Sequence, residues 1–424
     1  MQYAIVILDG ASGEPVPEFG GKTSFEVSST PYLDALAQQG TVGLMQNVPP
    51  HLESSSNVAC MSIVGYDPAK YPIGRGAIEG AALGIDLKPG QVALRLNLCY
   101  VEDNIMKGYS TDNISTEDGN ALCEKLKAAL DDKTFTLYPG TSFRQILVVD
   151  GYPELMDLTY ECPHDYSGKD ISSVFAPQIS QQFSQPAIDE PVTSRLQSAA
   201  DVLTDYILRA NKVLAQSKIN AQRVDQGLWP ANFVWPFWPG MKPDSLQDFE
   251  TVYGKKASLN SAVDLLDGIA LLTGMKIYKF EGVTDGPDND FESQGRGAIQ
   301  MLEQGADLVV VHVEAPDTAG HDGRPEEKKA SIEASDQEII ARLHEYAQSH
   351  DLRIAVMPDH PTPLSTRKHS HEPVPFVLAG PGVSHNGAQR LTEKEAEATD
   401  LLVDPGHRFL GNMLFDEEAT RVEQ

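Results

Sequence analysis

The stretch RIAVMPDHPTPLSTRKHSHEPVPF, which begins at Arg353, constrains the fold of this chain more than any other segment. Its apolar run Ile354–Met357 is short and ends at a proline, which favours a buried strand over a helix. Asp359 and His360 follow directly, and His369 lies nine residues after His360. Because ligands bind at the carboxyl ends of strands in an open parallel sheet, these side chains predict a metal site. A solvated loop rich in histidine and proline is the alternative interpretation.

Two other carboxylates follow predicted buried strands and supply partners for that loop. Asp9 ends the opening run Tyr3–Leu8 and precedes a glycine, which permits a sharp turn. The most apolar run of the chain, 307–313, is followed by Asp317 and His321, a second pair of metal-ligand residues. Helices are predicted between these strands, and such alternation is typical of an α/β sheet. We therefore expect one metal site built from several strand ends.

Three consecutive serines, Ser54, Ser55 and Ser56, precede a predicted apolar helix at Val58–Val64. One of them can simply cap the helix. The alternative is catalytic, since a hydroxyl at a helix N-terminus beside a metal can lose its proton and attack phosphorus. Their order along the chain does not choose among the three.

The middle of the chain, from about Ile85, has a different pattern of elements. Predicted strands lie at 92–98, 135–138 and 144–149, and predicted helices at 117–130 and 194–216. This combination predicts a separate mixed α/β module. Residues Trp229–Pro243 hold all three tryptophans together with several prolines. We expect no regular element there, and a hinge or the wall of a cleft instead.

Composition excludes several classes of partner. The 424 residues include 33 basic and 61 acidic side chains, a formal charge of −28 that repels nucleic acid and anionic membranes. The four cysteines form no CxxC pair, so neither a zinc knuckle nor a disulfide framework is indicated. No leader or apolar span of bilayer length is present, which predicts a cytoplasmic protein. The oligomeric state is left open.

Several motifs in order along the chain carry a family resemblance. They are Asp9-Gly10, SNVACMSIVGYDP (Ser56–Pro68), GRGAIEG (Gly74–Gly80), HVEAPDTAGHDG (His312–Gly323), PDHPTP and HSHEPVP. Together they resemble the archaeal-type cofactor-independent phosphoglycerate mutases of the alkaline phosphatase superfamily. The resemblance implies an α/β fold with an alkaline-phosphatase-like core and a central, mostly parallel sheet. It places that metalloenzyme core at 1–85 and 231–424 and a smaller inserted α/β substrate domain at 86–230.

The resemblance also implies a set of functional residues. Ser56 becomes the nucleophile rather than Ser54 or Ser55. Two divalent ions (manganese, magnesium, cobalt or zinc) are expected, the first on one set of ligands and the second on another: Asp317, His321 and His369; and Asp9, Ser56, Asp359 and His360. The predicted substrate-binding residues are Arg75, Arg95, Asn97, Arg144 and His164.

The implied activity is two-metal phosphoryl transfer through phosphoserine, interconverting 3-phosphoglycerate and 2-phosphoglycerate, a small phosphorylated metabolite of glycolysis. Departures from the family pattern fall at Met106–Asn113, Trp235–Phe237 and Gln294, and each one weakens anion binding. Other features are similar to a bacterial branch proposed to be a homoserine kinase. Transfer to or from another small hydroxyl compound, or hydrolysis of a phosphomonoester, is therefore an alternative. A non-catalytic metal-binding relative is a third hypothesis.

Overall fold

A computed structural model of the chain describes residues 1–176, 178–179 and 190–415. Parts of the predicted insert (177 and 180–189) and of the predicted second core segment (416–424) lie outside the described residues. The strands are β1 (Gln2–Leu8), β2 (Thr41–Met45), β3 (Gln91–Glu102), β4 (Ile105–Gly108), β5 (Phe135–Tyr138), β6 (Arg144–Asp150), β7 (Leu158–Thr159), β8 (Gln178–Ile179), β9 (Phe233–Gly240), β10 (Ala257–Asn260), β11 (Lys276–Tyr278), β12 (Leu308–Val313), β13 (Leu352–Met357), β14 (Val374–Ala379) and β15 (Leu402–Val403).

The α-helices alternate with these strands over much of the chain. They are α1 (Ser24–Val27), α2 (Pro31–Gln39), α3 (Ser56–Ile63), α4 (Arg75–Ala82), α5 (Thr116–Leu130), α6 (Glu190–Ala215), α7 (Lys218–Asp225), α8 (Phe249–Tyr253), α9 (Asp264–Leu272), α10 (Phe291–Glu303), α11 (Ala315–Asp322), α12 (Pro325–Ser335), α13 (Ala341–Ala347) and α14 (Glu393–Ala398). A π-helical turn at Asp336–Ile340 joins α12 to α13. Within the described ranges, no helix combines the length and the apolar character needed to cross a bilayer.

The chain divides into two compact units, Met1–Tyr71 with Ser245–Gln424 and Pro72–Asp244. The first unit holds an eight-stranded sheet in the order β11-β10-β12-β1-β13-β14-β2-β15. Every neighbouring pair in it is parallel except the two pairs that β14 makes. The predicted α/β fold class with a mostly parallel central sheet is confirmed. The predicted roles of the segments 1–85, 86–230 and 231–424 stay a prediction.

The centre of this sheet is buried on both faces and mostly apolar. Every residue of β12 and β13 is buried, as is every residue of β1 after Gln2. Parallel strands need such continuous apolar runs, because their crossover helices cover the sheet. In the register, Leu8 lies beside Val313 and Ile7 beside Met357. Three adjacent strands therefore end at the same edge of the sheet, where the polar residues that follow them meet.

The second unit is built on an antiparallel sheet in the order β4-β3-β6-β5, with β9 also paired to β3. Helices α5 and α6 contribute apolar side chains such as Leu122 and Leu203 to its core. The expectation of no regular element around the tryptophans is wrong, because β9 spans Phe233–Gly240. Among the described strands β9 pairs with β3 alone, and an edge strand tolerates prolines that a central one would not.

Candidate metal centre

The predicted metal ligands converge at the carboxyl edge of the three central strands. Asp9 follows β1, Asp317 lies on α11 just after β12, and Asp359 and His360 follow β13. Ser56 is the first residue of α3. All of these residues belong to the first unit. The tertiary structure therefore brings together side chains that are far apart in the sequence.

Asp317, His321 and His369 form one group. Helix α11 places Asp317 and His321 four residues apart on one face, and the His321 Nε2 atom lies 3.1 Å from Asp317 Oδ2. His369 Nε2 lies 2.9 Å from His321 Nε2 and 3.6 Å from Asp317 Oδ1. The Nδ1 atom of His321 donates to the Arg367 carbonyl at 2.9 Å, and that of His369 lies 3.3 Å from the Ser54 carbonyl. When the rings are neutral, these bonds keep the proton on Nδ1. The Nε2 lone pairs of His321 and His369 are then free to bind one metal ion beside Asp317.

Asp9, Ser56, Asp359 and His360 form the second group. The Nε2 atom of His360 lies 3.1 Å from Asp359 Oδ2, 3.7 Å from Asp9 Oδ1 and 3.1 Å from Ser56 Oγ. Asp359 is oriented by its other oxygen, which accepts from the Gly10 backbone N–H at 3.0 Å. His360 also stacks on His369 with ring centroids 3.8 Å apart, so the two groups are contiguous.

The structure separates the three serines. The Ser54 hydroxyl donates to the Ser370 carbonyl at 2.6 Å, and the Ser55 hydroxyl lies 3.4 Å from the Glu53 carbonyl. Ser55 occupies the N-cap position of α3, but its side chain makes no capping bond, so the expected serine cap is not formed. Ser56 alone of the three presents its hydroxyl to the metal-ligand groups.

The electrostatics of the centre call for a cation. Burial raises the pKa of Asp9 well above its usual range, and the neighbouring carboxylates of Asp359, Glu314 and Asp317 raise it further. Burial, with Asp317 next in importance, raises the pKa of Glu314 to about 8. The Oδ1 atom of Asp9 is fully buried and has no hydrogen-bond partner among the residues that the structure describes. Buried carboxylates packed this closely are costly unless a positive charge offsets them.

Protonation of a histidine offsets part of the negative charge of these carboxylates. The hydrogen bond to Asp317 raises the pKa of His321 to about 9. Burial opposes ionisation of Asp317, but the bonds from His321 and His369 outweigh it and hold the Asp317 pKa well below its usual range. A divalent ion can take the place of such a proton between imidazole and carboxylate. The donors are carboxylate oxygens, imidazole nitrogens and one hydroxyl, so this set of residues fits divalent metal ions.

His312 contacts the predicted metal ligand Asp9, and the sequence analysis gave it no role. It lies in β12 and is 1% exposed, and its Nε2 atom is 2.8 Å from Asp9 Oδ2. Its Nδ1 atom is 3.1 Å from the Ser261 hydroxyl, which accepts from the Val263 N–H at 3.0 Å. Burial lowers the His312 pKa to about 4, so the ring is neutral and donates from Nε2 to Asp9. Its position as the polar residue in the run LVVVHV was the available signal.

Three further side chains contact the predicted ligands or His312. Glu314 follows β12, and its Oε2 atom lies 3.8 Å from His312 Nε2, so the ligand atoms of Asp9, His312 and Glu314 fall within 4.8 Å of one another. The Thr362 hydroxyl donates to Asp317 Oδ1. Gln294 is buried in an amide network, donating to Asn260 Oδ1 and to the His312 carbonyl, both at 3.0 Å.

The predicted substrate-binding residues lie in the second unit, and most of them cluster there. One oxygen of Glu79 accepts from Arg75 at 2.8 Å and from Arg95 at 3.0 Å. Arg95 Nε donates to Asn97 Oδ1 at 3.3 Å. Burial lowers the pKa of His164, and the charge of Arg95 is the next cause. These residues form a cationic cluster around one carboxylate.

Aromatic rings border this cationic cluster. The guanidinium of Arg75 lies 4.2 Å from the ring centroid of Trp238, within cation–π range. The His164 ring lies 5.8 Å from Trp238 and 4.9 Å from Tyr109. Arg144 is exposed, stacks on a phenylalanine 4.8 Å away and makes no hydrogen bond to the other four predicted residues in the described part of the chain.

Solved structures share this architecture. A protein from Pyrococcus horikoshii superposes with a TM-score of 0.77 at 26% identity, covering 98% of this chain and 96% of that one. The cofactor-independent phosphoglycerate mutase from Thermoplasma acidophilum gives a TM-score of 0.68 at 23% identity over 98% of this chain and 99% of that one. The chain therefore belongs to the structural class that these two proteins define.

Sequence relatives narrow the class to one family. The profile described as 2,3-bisphosphoglycerate-independent phosphoglycerate mutase matches residues 37–220. The protein of that name from Methanosarcina barkeri is 37% identical over 95% of this chain and 96% of its own length. A second relative, from Methanothermobacter thermautotrophicus, is 34% identical over 100% of this chain and 99% of its own length. This chain belongs to the 2,3-bisphosphoglycerate-independent phosphoglycerate mutase family.

Proposed function

We propose that this protein transfers a phosphoryl group through a phosphoserine at Ser56, and that it interconverts 3-phosphoglycerate and 2-phosphoglycerate. The observation that carries the proposal is the position of the Ser56 hydroxyl, 3.1 Å from His360 Nε2 within a group of buried carboxylates and imidazoles. The names of its relatives support the choice of substrate.

Two divalent ions would be held by the predicted sets: Asp317, His321 and His369; and Asp9, Ser56, Asp359 and His360. When bound, such ions lower the pKa of a serine hydroxyl and neutralise charge on the transferring oxygens. Manganese, magnesium, cobalt and zinc all suit oxygen and imidazole donors. His312 would keep Asp9 in its orientation, as outer hydrogen bonds do for metal ligands.

Ser56 and the N-terminus of α3 carry the proposed transfer step. Ser56 lies at the first turn of α3, where unpaired backbone N–H groups and the helix dipole favour negative charge on the nucleophile and on the phosphoryl group. The bond from phosphorus to the substrate oxygen breaks as the bond to Ser56 Oγ forms, and the serine proton ends on the released oxygen. Attack by the other hydroxyl of glycerate reverses both changes, so no net water is consumed.

The cationic cluster of the second unit has the chemistry to bind the glycerate carboxylate. Guanidinium groups bind carboxylates through paired hydrogen bonds, and Arg75 and Arg95 already share a carboxylate oxygen of Glu79. Asn97 and His164 add neutral hydrogen-bonding groups beside them. Their role in substrate binding is part of this proposal.

Transfer to another small hydroxyl compound, such as homoserine, is the second candidate. Its supporting observation is the aromatic border of the cationic cluster, where Trp238 covers the guanidinium of Arg75 at 4.2 Å. A face occupied in this way is less accessible to a small dianion. Each lost charged contact to a dianion costs about 1.5–3 kcal/mol.

Steady-state turnover of the metal-loaded protein distinguishes these functions. With 3-phosphoglycerate and excess Mn²⁺, a kcat/KM near about 10⁵ M⁻¹s⁻¹ is ordinary for an enzyme on its own substrate and would exclude the second candidate. No turnover, combined with phosphoserine at position 56 after incubation with other phosphomonoesters, would favour it. Ser56→Ala should abolish transfer, whereas Ser55→Ala should retain it. Equal activity of the two variants would contradict the phosphoserine mechanism.

Metal content tests the ligand sets. We expect about two divalent ions per chain, because the ligands divide into two groups. His369→Ala should selectively weaken the binding of one ion, and Asp359→Ala should weaken the binding of the other. Full occupancy in a variant lacking both His321 and His369 would show that the assignment is wrong.

A further inference from the structure

Lys328 is a buried lysine that the proposed chemistry does not use. It lies on α12 and is 1% exposed. Its Nζ atom donates to the Thr362 carbonyl at 2.8 Å and to the Ser12 carbonyl at 3.1 Å. A buried ammonium group is costly, so its presence implies strong compensating interactions.

The two carbonyls belong to the loops that carry metal ligands. Ser12 follows Asp9 by three residues, and Thr362 follows His360 by two. The two loops also bond to each other, since the Thr362 N–H donates to the Ser12 carbonyl at 3.1 Å. The Thr362 hydroxyl in turn donates to Asp317. One ammonium group therefore joins the segments after β1 and β13.

Helix α12 itself continues from the third ligand segment. Helix α11, with Asp317 and His321, ends at Asp322, and α12 begins at Pro325. Lys328 thus connects all three strand ends of the metal centre. Burial lowers the pKa of Lys328 to about 8, and the nearby carboxylates of Asp317, Glu393, Glu14 and Asp9 oppose that shift.

We propose that Lys328 is a positioning residue for the metal centre, holding the Asp9 and His360 loops in register with α11 so that their side chains face the same ions. The inference rests on the proposed function only in requiring that the centre binds divalent ions. It makes no claim about the substrate.

Replacing Lys328 should change the affinity for a divalent cation in opposite directions, depending on whether Lys328 positions the ligands or only contributes its charge. If other contacts held the loops, removing a nearby positive charge would leave the affinity for a divalent cation unchanged or increase it. If Lys328 holds them, a methionine leaves two buried carbonyls without this donor and the ligands lose their arrangement. Loss of an outer hydrogen bond of this kind reduces metal affinity by about 10–100-fold.

The test is a Co²⁺ titration of the metal-free full-length protein. Calorimetry measures the affinity, and the visible absorption of bound Co²⁺ reports on the arrangement of the ligands. We expect Lys328→Met to bind Co²⁺ at least about tenfold more weakly, with altered absorption bands. Lys329→Met is the matched control, because Lys329 is the next residue on the same helix, is 30% exposed and pairs with Glu333 instead. Ile332→Val controls for loss of stability, since Ile332 is fully buried one turn farther along.

Wild-type affinity and spectrum in Lys328→Met, or an effect no larger than that of Ile332→Val, would overturn the inference. If Lys328→Met does not fold, Lys328→Gln, which keeps one donor group, is judged by the same criteria. Failure of the wild-type protein to bind Co²⁺ would overturn both proposals. Normal Co²⁺ binding without phosphoryl transfer would overturn only the proposed function.

Discussion

Gly10 offers a sharp test of how closely the loops of the metal centre are packed. It lies between Asp9 and the rest of the first loop, with a φ of +57°. A β-carbon at this position would come 2.9 Å from the Asp317 Cα atom, and closer to the Asp317 carboxylate and the Thr362 hydroxyl. Gly10→Ala therefore perturbs the centre without changing any proposed ligand.

The size of the effect follows from two contributions. An alanine in the left-handed region costs about 1–2 kcal/mol of stability. The Asp317 Cα atom must also move from 2.9 Å to at least 3.4 Å to reach an ordinary contact, about 0.5 Å. Overpacking of this kind costs a further 1–3 kcal/mol or so. The Asp317 carboxylate would lie closer still to the added β-carbon, so it must move farther than the limit of about 0.5 Å within which a functional site has to be held. We therefore expect metal affinity to fall at least about tenfold.

Gly20→Ala is the matched control. Gly20 has a similar φ of +66°, and a β-carbon there would meet nothing within 4 Å. This variant should show only the conformational cost in urea unfolding and should bind Mn²⁺ like the wild type. Calorimetric titration with Mn²⁺ compares the two variants. If Gly10→Ala bound Mn²⁺ within about twofold of Gly20→Ala, the inferred contact with Asp317 would be refuted.

Three further predictions concern acid stability, the second unit and metal removal. The folded His312 pKa of about 4 lies below its usual 6.5, so its contribution to stability is present above pH 6.5 and is lost as pH falls toward 4, by about 3 kcal/mol. In metal-free protein His312→Gln should flatten that part of the profile of unfolding free energy, and an unchanged slope would contradict the pKa. Arg95→Ala should raise KM or lower kcat/KM without changing metal content; unchanged kinetics would remove it from the site. Free Mn²⁺ at 100 times its Kd should raise the unfolding free energy by about 2.7 kcal/mol per site, and equal stability with and without EDTA would argue against a metal centre.

Local pattern in the sequence was sufficient for the strand ends. The apolar runs before Asp9 and Asp359 are short and continuous, and residues that follow such runs lie at the carboxyl edge of a parallel sheet. The same reasoning predicted Asp317 and His321 just past the end of another buried strand, and the structure adds that both lie on α11. These predictions needed no knowledge of which strands are neighbours, so the periodicity of the chain alone determined them.

Only the tertiary structure showed the contacts between residues that are distant in the sequence. The family resemblance singled out Ser56 from the sequence, but the physical difference from Ser54 and Ser55 is what its hydroxyl reaches, and its partner His360 is 304 residues away. His312 is a buried polar residue in a strand, and its contact with Asp9 follows from the position of β1 beside β12. Strand β9 forms despite its prolines because it pairs on one side only within the described sheet. Hydrogen bonds and burial of this kind are set by chain segments distant in sequence, so no local pattern specifies them.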